Sequence, residues 1–269
     1  MKINFFKYQG TGNDFILLDN RKNEWSGLNR SMIAKLCDRR FGIGGDGLIL
    51  LNAHPKYDFE MKNYNSDGGE CSMCGNGARC LAQLAHDLQV PSRVKDHYHF
   101  LAIDGEHEAS IHGNLIHLKM QNVDEINETP EGFVLNTGSP HLVCPATHLM
   151  TQDIVTQGRT LRNSPMFMPG GINVNFVQAY GKKIFVRTYE RGVEDETLSC
   201  GTGIIAAAIT AAQNQGPGVH EYEVHSRGGI LQVRFEQSES DLQTQKWENI
   251  WLIGPAVLSF KGTALLTEE

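Results

Sequence analysis

One octapeptide pattern occurs twice in the chain, and the repetition constrains the fold more than any other feature. Glu70-Cys71-Ser72-Met73-Cys74-Gly75-Asn76-Gly77 and Glu196-Thr197-Leu198-Ser199-Cys200-Gly201-Thr202-Gly203 both read Glu-x-x-x-Cys-Gly-(Asn/Thr)-Gly. The shared cysteines, Cys74 and Cys200, lie 126 residues apart (200 minus 74). The same offset relates Thr11-Gly12-Asn13 to Thr137-Gly138-Ser139 and Gly44-Gly45 to Gly170-Gly171, while Tyr64-Asn65 precedes Tyr189-Glu190 by 125. Separated pairs that share one offset argue for an internal duplication.

Each half reads as strands, one buried helix, then strands. Ile3–Gln9, Phe15–Leu18 and Leu48–Leu51 have strand character, and Phe59, Met61 and Asn63 alternate with polar neighbours. Ser31–Arg39 has helical spacing with Ser31 as the expected N-cap. Ala78–Leu88 and Ile204–Asn214 follow the two cysteine motifs and are apolar on most sides, as helices enclosed by a core are. Glu108–His112 and Leu115–Met120 flank Gly113-Asn114, a hairpin signal. In the second half, strands are expected at Leu142–Cys144, Val174–Val177, Ile184–Thr188, Leu231–Phe235 and Ile250–Ile253. The expected division is 1–121 and 122–254, with acidic Asn122–Glu131 as the crossing. Pro255–Leu266 has strand character and no counterpart within the second half. The fold class is therefore α/β (α+β), in two pseudo-symmetric domains.

A cysteine at the mouth of a buried helix has chemical consequences. The first turn offers backbone N–H groups and the positive end of the helix dipole. That setting turns a thiol into a thiolate base or nucleophile, and the same amides can hold a carboxylate. Two such ends, Cys74 and Cys200, suit removal of a proton from one face of a carbon and its return to the other. The reaction class is racemisation or epimerisation next to a carboxylate. Most cysteines are simply small buried hydrophobes, and Cys37, Cys80 and Cys144 are assigned to that class. Cys71-x-x-Cys74 has no second CxxC to complete a zinc site. His97, His99, His107, His112 and His117 alternate at strand spacing without a ligand pattern, so no metal is expected. Gly44-Gly45-Asp46-Gly47 lacks the Lys-Ser/Thr of a phosphate-binding loop.

Composition excludes several classes. The net charge is −7, which gives no basic footprint for nucleic acid. No apolar run approaches the ~18 residues of a membrane span. The N-terminus turns polar too soon for a signal peptide, and the cysteine usage fits a reducing compartment. The expected location is cytoplasmic.

Gly10-Thr11-Gly12-Asn13-Asp14-Phe15, Cys74-Gly75-Asn76-Gly77-Ala78-Arg79-Cys80, Tyr189-Glu190-Arg191-Gly192 and Glu196–Gly203 resemble the motifs of the diaminopimelate epimerases, in order, from residue 3 to about residue 262. The resemblance implies a cofactor-independent isomerase that converts LL- to meso-diaminopimelate for lysine and peptidoglycan synthesis. It implies two domains, each a mixed β-barrel-like sheet around a central helix, commonly in a homodimer. It also implies that strands 255–269 return to the first domain. Carried over by position, Cys74 and Cys200 are the acid/base pair, and amides of Gly75-Asn76 and Gly201-Thr202 hold the reacting carboxylate. Asn13, Asn65, Asn173 and Arg191 grip the substrate; His141 and Glu190 contact its amino group or tune the thiols. Ser139 stands where the family usually has asparagine. The competing readings are a proline-racemase-like enzyme of the same fold and a non-catalytic amino-acid-binding relative. The Asn13, Asn65, Asn173 and Arg191 set, suited to a second charged end, argues against the first; retention of both cysteines argues against the second.

Overall fold

The computed structural model describes residues 1–71, 73–239 and 245–266. Two compact units emerge: Met1–Leu118 together with the segment from Gly254 onward, and Lys119–Ile253. No helix among the described residues is long and apolar enough to cross a membrane.

The first unit contains β1 (Lys2–Gly10), β2 (Asn13–Asp19), α1 (Arg30–Cys37), β3 (Gly47–Asn52), β4 (Phe59–Asn65), α2 (Gly75–Asp87), β5 (His97–Ala102), β6 (Gly105–His112) and β7 (Leu115–Lys119). Strand β2 runs antiparallel to β1 and parallel to β3. Beyond them β3–β4 is antiparallel, β4–β5 parallel, and β5–β6–β7 antiparallel. Helix α2 packs on β1, β2, β3, β4 and β6. Its Ala78, Leu81, Ala82, Leu84 and Ala85 are fully enclosed, which explains a helix with so little polar surface.

The second unit contains β8 (Ile126–Thr129), β9 (Gly132–Asn136), β10 (Pro140–Pro145), α3 (Ile154–Arg162), β11 (Asn173–Tyr180), β12 (Lys183–Glu190), β13 (Asp195–Thr197), α4 (Gly201–Ala212), β14 (Gly218–Ser226), β15 (Gly229–Glu239) and β16 (Gln245–Pro255). The pairing sense repeats that of the first unit. Strands β9–β10 are antiparallel, β10–β11 parallel, β11–β12 antiparallel, β12–β14 parallel, and β14–β15–β16 antiparallel. Register repeats too: Phe15 is opposite Gly47, and 126 residues on in both strands His141 is opposite Asn173. Helix α4 packs on β9, β10, β11, β12, β14 and β15, with Ile204, Ile205 and Ile209 fully buried. Burying each of these side chains is worth about 1.5–3 kcal/mol. The repeated pairing sense, with the parallel pair in the same register, is the structural mark of duplication. The last strand, β17 (Val257–Leu265), pairs antiparallel with β1 from Lys2↔Leu265 to Gln9↔Val257.

Several local expectations need correction. Asn29, not Ser31, caps α1: its side chain accepts from the Met32 amide, while Ser31 lies in the first turn and donates to Asn29 Oδ1. That helix stops at Cys37 rather than Arg39. Both central helices begin earlier than their apolar pattern, directly after the cysteines. The expected crossing is partly ordered as β8, and Val123 bridges to Trp247. The histidines also prove less scattered than their spacing suggests. Register puts Glu108 opposite His99 and gathers His97, His99 and Glu108 into one cluster.

Candidate active site

Cys74 is the N-cap of α2 and Cys200 the N-cap of α4, both with extended backbone and with no side-chain capping bond. The first intrahelical bonds run from Ala78 N–H to Cys74 C=O and from Ile204 N–H to Cys200 C=O. The amides of Gly75–Gly77 and Gly201–Gly203 therefore precede the helical ladder, where an anion is favoured.

The repeated glutamate of each motif is structural. Glu196 takes a bidentate ion pair from Arg187 on β12, with both bonds at 2.7 Å, and a second contact from Arg227 at 3.2 Å. Glu70 lies 3.5 Å from Lys62, the equivalent position on β4. The second glycine is structural as well. A Cβ at Gly203 would meet Asn175 Oδ1 at 2.3 Å, and one at Gly77 would meet Ile49 Cδ1 at 2.8 Å. Asn175 and Ile49 are again 126 residues apart, so the same sheet position touches the same helix glycine in both units. Gly203→Ala is expected to cost about 1–3 kcal/mol of stability through overpacking against a hydrogen-bonded amide. Gly77→Ala should cost less, because a flexible isoleucine tip can yield. Urea midpoints of the two variants measure this, and a Gly203→Ala midpoint equal to wild type would refute it.

In the first unit, Cys74 Sγ lies 3.6 Å from Asn13 Oδ1, which also accepts from Asn76 Nδ2 at 3.3 Å. The orientation of Asn13 follows from its other end, where Nδ2 donates to Asp46 Oδ2 at 2.6 Å. Arg39 binds Asp14 and Asp46, and Lys7 binds Asp14 at 2.7 Å, so the turn carrying Asn13 is braced by charge. Burial opposes ionisation of Asp14, but hydrogen bonds from Arg39 and Lys7 hold its carboxyl well below the usual range. Behind Asn76 sits Arg79, fully buried, which donates to Asn76 Oδ1, Thr11 Oγ1 and Gly75 C=O. Burial pushes its pKa down to about 10, which leaves it a cation at neutral pH.

In the second unit, Cys200 Sγ lies 3.5 Å from Thr202 Oγ1, which lies 2.9 Å from His141 Nε2. The other ring nitrogen, Nδ1, is 3.0 Å from Asn175 Nδ2. Asn175 is held in that orientation, for its Nδ2 also donates to Leu142 C=O and its Oδ1 accepts from Thr188. An amide NH2 only donates, so Nδ1 of His141 accepts and the neutral ring carries its proton on Nε2. The Nε2–H then donates to Thr202 Oγ1, leaving the threonine hydroxyl to donate to sulfur.

His141 is fully buried; burial first, and the Arg191 charge second, push its pKa down to about 3. The unfolded chain binds a proton there near pH 6.5 while the folded chain does not. Stability is thus complete above about pH 6.5 and falls as pH drops towards 3, by up to about 1.4 kcal/mol per pH unit. Asp14 adds its loss at lower pH, from the ordinary carboxylate range downwards. Urea unfolding should show a shallower dependence between about pH 7 and 5 for His141→Gln than for wild type; equal slopes would exclude His141 as the cause.

Asn173 accepts from the Arg191 backbone N–H at 2.9 Å and donates to Pro140 C=O, so it holds the Arg191 turn in place. Arg191 donates to Gly170 C=O, and among the described residues no carboxylate pairs with it. Glu190 closes β12 beside it, half-buried. Asn65 stands outside the Asn13–Asn76–Cys74 cluster, exposed in the turn that closes on Gly69. The remaining cysteines are poor bases. Burial pushes Cys37, Cys80 and Cys144 up to about 12 and Cys71 up to about 11. Arg79, Asn175 and Thr188 were not singled out by sequence. The only trace of Asn175 is a lone amide in an otherwise apolar strand centre.

A family model for diaminopimelate epimerase matches residues 5–120 and 133–250. A diaminopimelate epimerase from Flavobacterium psychrophilum is 46% identical over 263 residues, covering 97% of this chain and 100% of that protein. Among solved structures, a PhzF-family phenazine biosynthesis protein from Bacillus anthracis superposes with a TM-score of 0.75 at 13% identity, over 99% of this chain and 100% of that one. A probable proline racemase from Agrobacterium radiobacter K84, with bound carbonate, gives 0.65 at 14% identity, over 99% and 93%. At such identities these two likenesses establish the fold alone.

Proposed function

Because the chain belongs to the diaminopimelate epimerase family, we propose that it interconverts LL- and meso-diaminopimelate without a cofactor, with Cys74 and Cys200 as its acid/base pair, in the cytoplasmic supply of lysine and peptidoglycan precursors. The observation that carries this reading is the pair of cysteines at equivalent N-caps of duplicated units, each with a polar partner at its sulfur. One sulfur, as thiolate, takes the α-proton; the other, as thiol, gives its own proton to the opposite face of the same carbon. No net proton is gained, and the two sulfurs finish with exchanged protonation. First-turn amides at Gly75-Asn76 and Gly201-Thr202 hold the α-carboxylate, where negative charge builds as the proton leaves.

The two sulfurs are not equivalent. Asn13 Oδ1 can only accept, so it favours the protonated thiol at Cys74. Thr202, backed by His141 and Asn175, donates and favours the thiolate at Cys200. In this reading Cys200 is the resting base and Cys74 the resting acid. Asn13 and Asn173 with Arg191 bind the substrate; Asn65, exposed in its turn, and Glu190 complete the set carried over by position. A homodimer fits the exposed apolar side chains Val257, Leu258 and Phe260 on β17.

The test is solvent deuterium uptake at the α-carbon, with diaminopimelate, proline and other amino acids offered in parallel. Rapid uptake into diaminopimelate alone is expected, unchanged by a chelator or a carbonyl reagent. Uptake into proline instead, or loss of turnover to either reagent, would overturn the assignment.

A further inference from the structure

We infer a binding site for one divalent transition-metal ion on the outer face of β5 and β6, with His97, His99 and Glu108 as its ligands. This inference does not depend on the proposed function. Strand alternation turns Tyr98, Phe100, Ala109 and Ile111 into the core and His97, His99 and Glu108 to the opposite face. His99 and Glu108 are directly paired across the strands, and His97 is the next residue along the same face. His99 Nε2 lies 3.3 Å from Glu108 Oε1, and His97 Nε2 lies 3.9 Å from Glu108 Oε2. One donor atom from each residue falls within 4.8 Å of the other two.

Those separations are near what a metal requires. Bonds of about 2.0–2.2 Å at tetrahedral angles put ligand atoms about 3.3–3.6 Å apart, so rotamer adjustments that bring the donor atoms together from within 4.8 Å of one another close the site. The backbone positions are already fixed by the β5–β6 ladder, which bonds the two strands from His97 to Ala102. Two imidazoles and one carboxylate select Zn²⁺, Ni²⁺ or Cu²⁺ over Mg²⁺ and Ca²⁺, which demand oxygen ligands. Three protein ligands leave the fourth position for water. His107 does not belong to the set, because it points to the other face, stacks on Phe100 and bonds Asp104. His112 and His117 form a separate tilted pair with ring centroids 4.4 Å apart, and His112 also bonds Ser110. A metal held by His97, His99 and Glu108 would clip β5 to β6 and stabilise the folded chain by mass action.

Equilibrium dialysis of metal-stripped full-length protein against Zn²⁺, compared with His97→Ala/His99→Ala, tests the assignment. Comparing the two proteins cancels any Zn²⁺ taken up by cysteines elsewhere. Wild type should bind one equivalent more than the double variant, Glu108→Gln should weaken that equivalent at least tenfold, and His112→Ala should leave it in place. Co²⁺ should give visible tetrahedral absorption in wild type and lose it in the double variant. Equal stoichiometry in wild type and double variant, or loss of the equivalent in His112→Ala, would overturn the site. His99 and His112 are exposed and His97 and Glu108 half-buried, and thermal melts matching the metal-free wild type certify the variants as folded.

Discussion

Cys74→Ala and Cys200→Ala are each expected to lower the epimerisation rate by about 100- to 10,000-fold, the contribution of a positioned acid or base. The two variants should then part company. With Cys74 removed, the Thr202-supported sulfur of Cys200 still abstracts the α-proton from one stereoisomer, so that isomer exchanges its proton with deuterated solvent without inverting. With Cys200 removed, the remaining thiol is held as a donor by Asn13, and exchange should be slower in both isomers. Chiral separation with mass detection reads inversion and exchange together. Equal residual exchange in the two variants would refute the assignment of Cys200 as resting base, and undiminished inversion in either would end the two-thiol account.

Arg191→Lys is expected to cost about 2–4 kcal/mol in kcat/KM, as for loss of a bidentate charged contact to a distal carboxylate. Lysine keeps the charge but loses the planar fork. Because the distal carboxylate is bound in ground state and transition state alike, most of the loss should fall on KM. The structure supports this use of Arg191: its backbone is tied to Asn173, its guanidinium contacts a carbonyl, and no carboxylate pairs with it among the described residues. Steady-state kinetics on LL-diaminopimelate decide it, and an unchanged kcat/KM would remove Arg191 from the site.

The duplication was legible because a helix N-terminus with a cysteine cap is a compact, local pattern. So were α2 and α4, whose apolar content exceeds what any surface helix carries. The support around each sulfur was not legible, because it is assembled by register. Asn175 meets His141 only because β10 and β11 run parallel with Leu142 opposite Val174, and no spacing in the sequence encodes that alignment. The same holds for Glu108 and His99. Strand β5 escaped notice because His97-Tyr98-His99-Phe100 alternates without an aliphatic signal, and α3 because it is short and buries only Ile154 and Gly158 fully, with Val155 and Leu161 half-covered. Asp153 capping Thr156 N–H was the one local clue to α3.

Strand β17 has a temporal consequence. Its partner β1 is made first, yet Gly10 and Val257 are separated by almost the whole chain. Closing that loop costs about 4 kcal/mol more than closing the short β1–β2 turn, at about 0.6 kcal/mol per doubling of length. At ~5–20 residues per second, β1 waits roughly 10–50 s on the ribosome for its second neighbour. The second unit, continuous from Lys119 to Ile253, meets no such delay. The nascent chain therefore passes through a stage in which the later-synthesised unit is complete while the earlier one still presents an open strand edge, with Phe5 lacking the Phe260 ring that later packs against it. It is at this stage, rather than in the finished molecule, that the protein is most exposed to wrong pairing and most in need of chaperone cover.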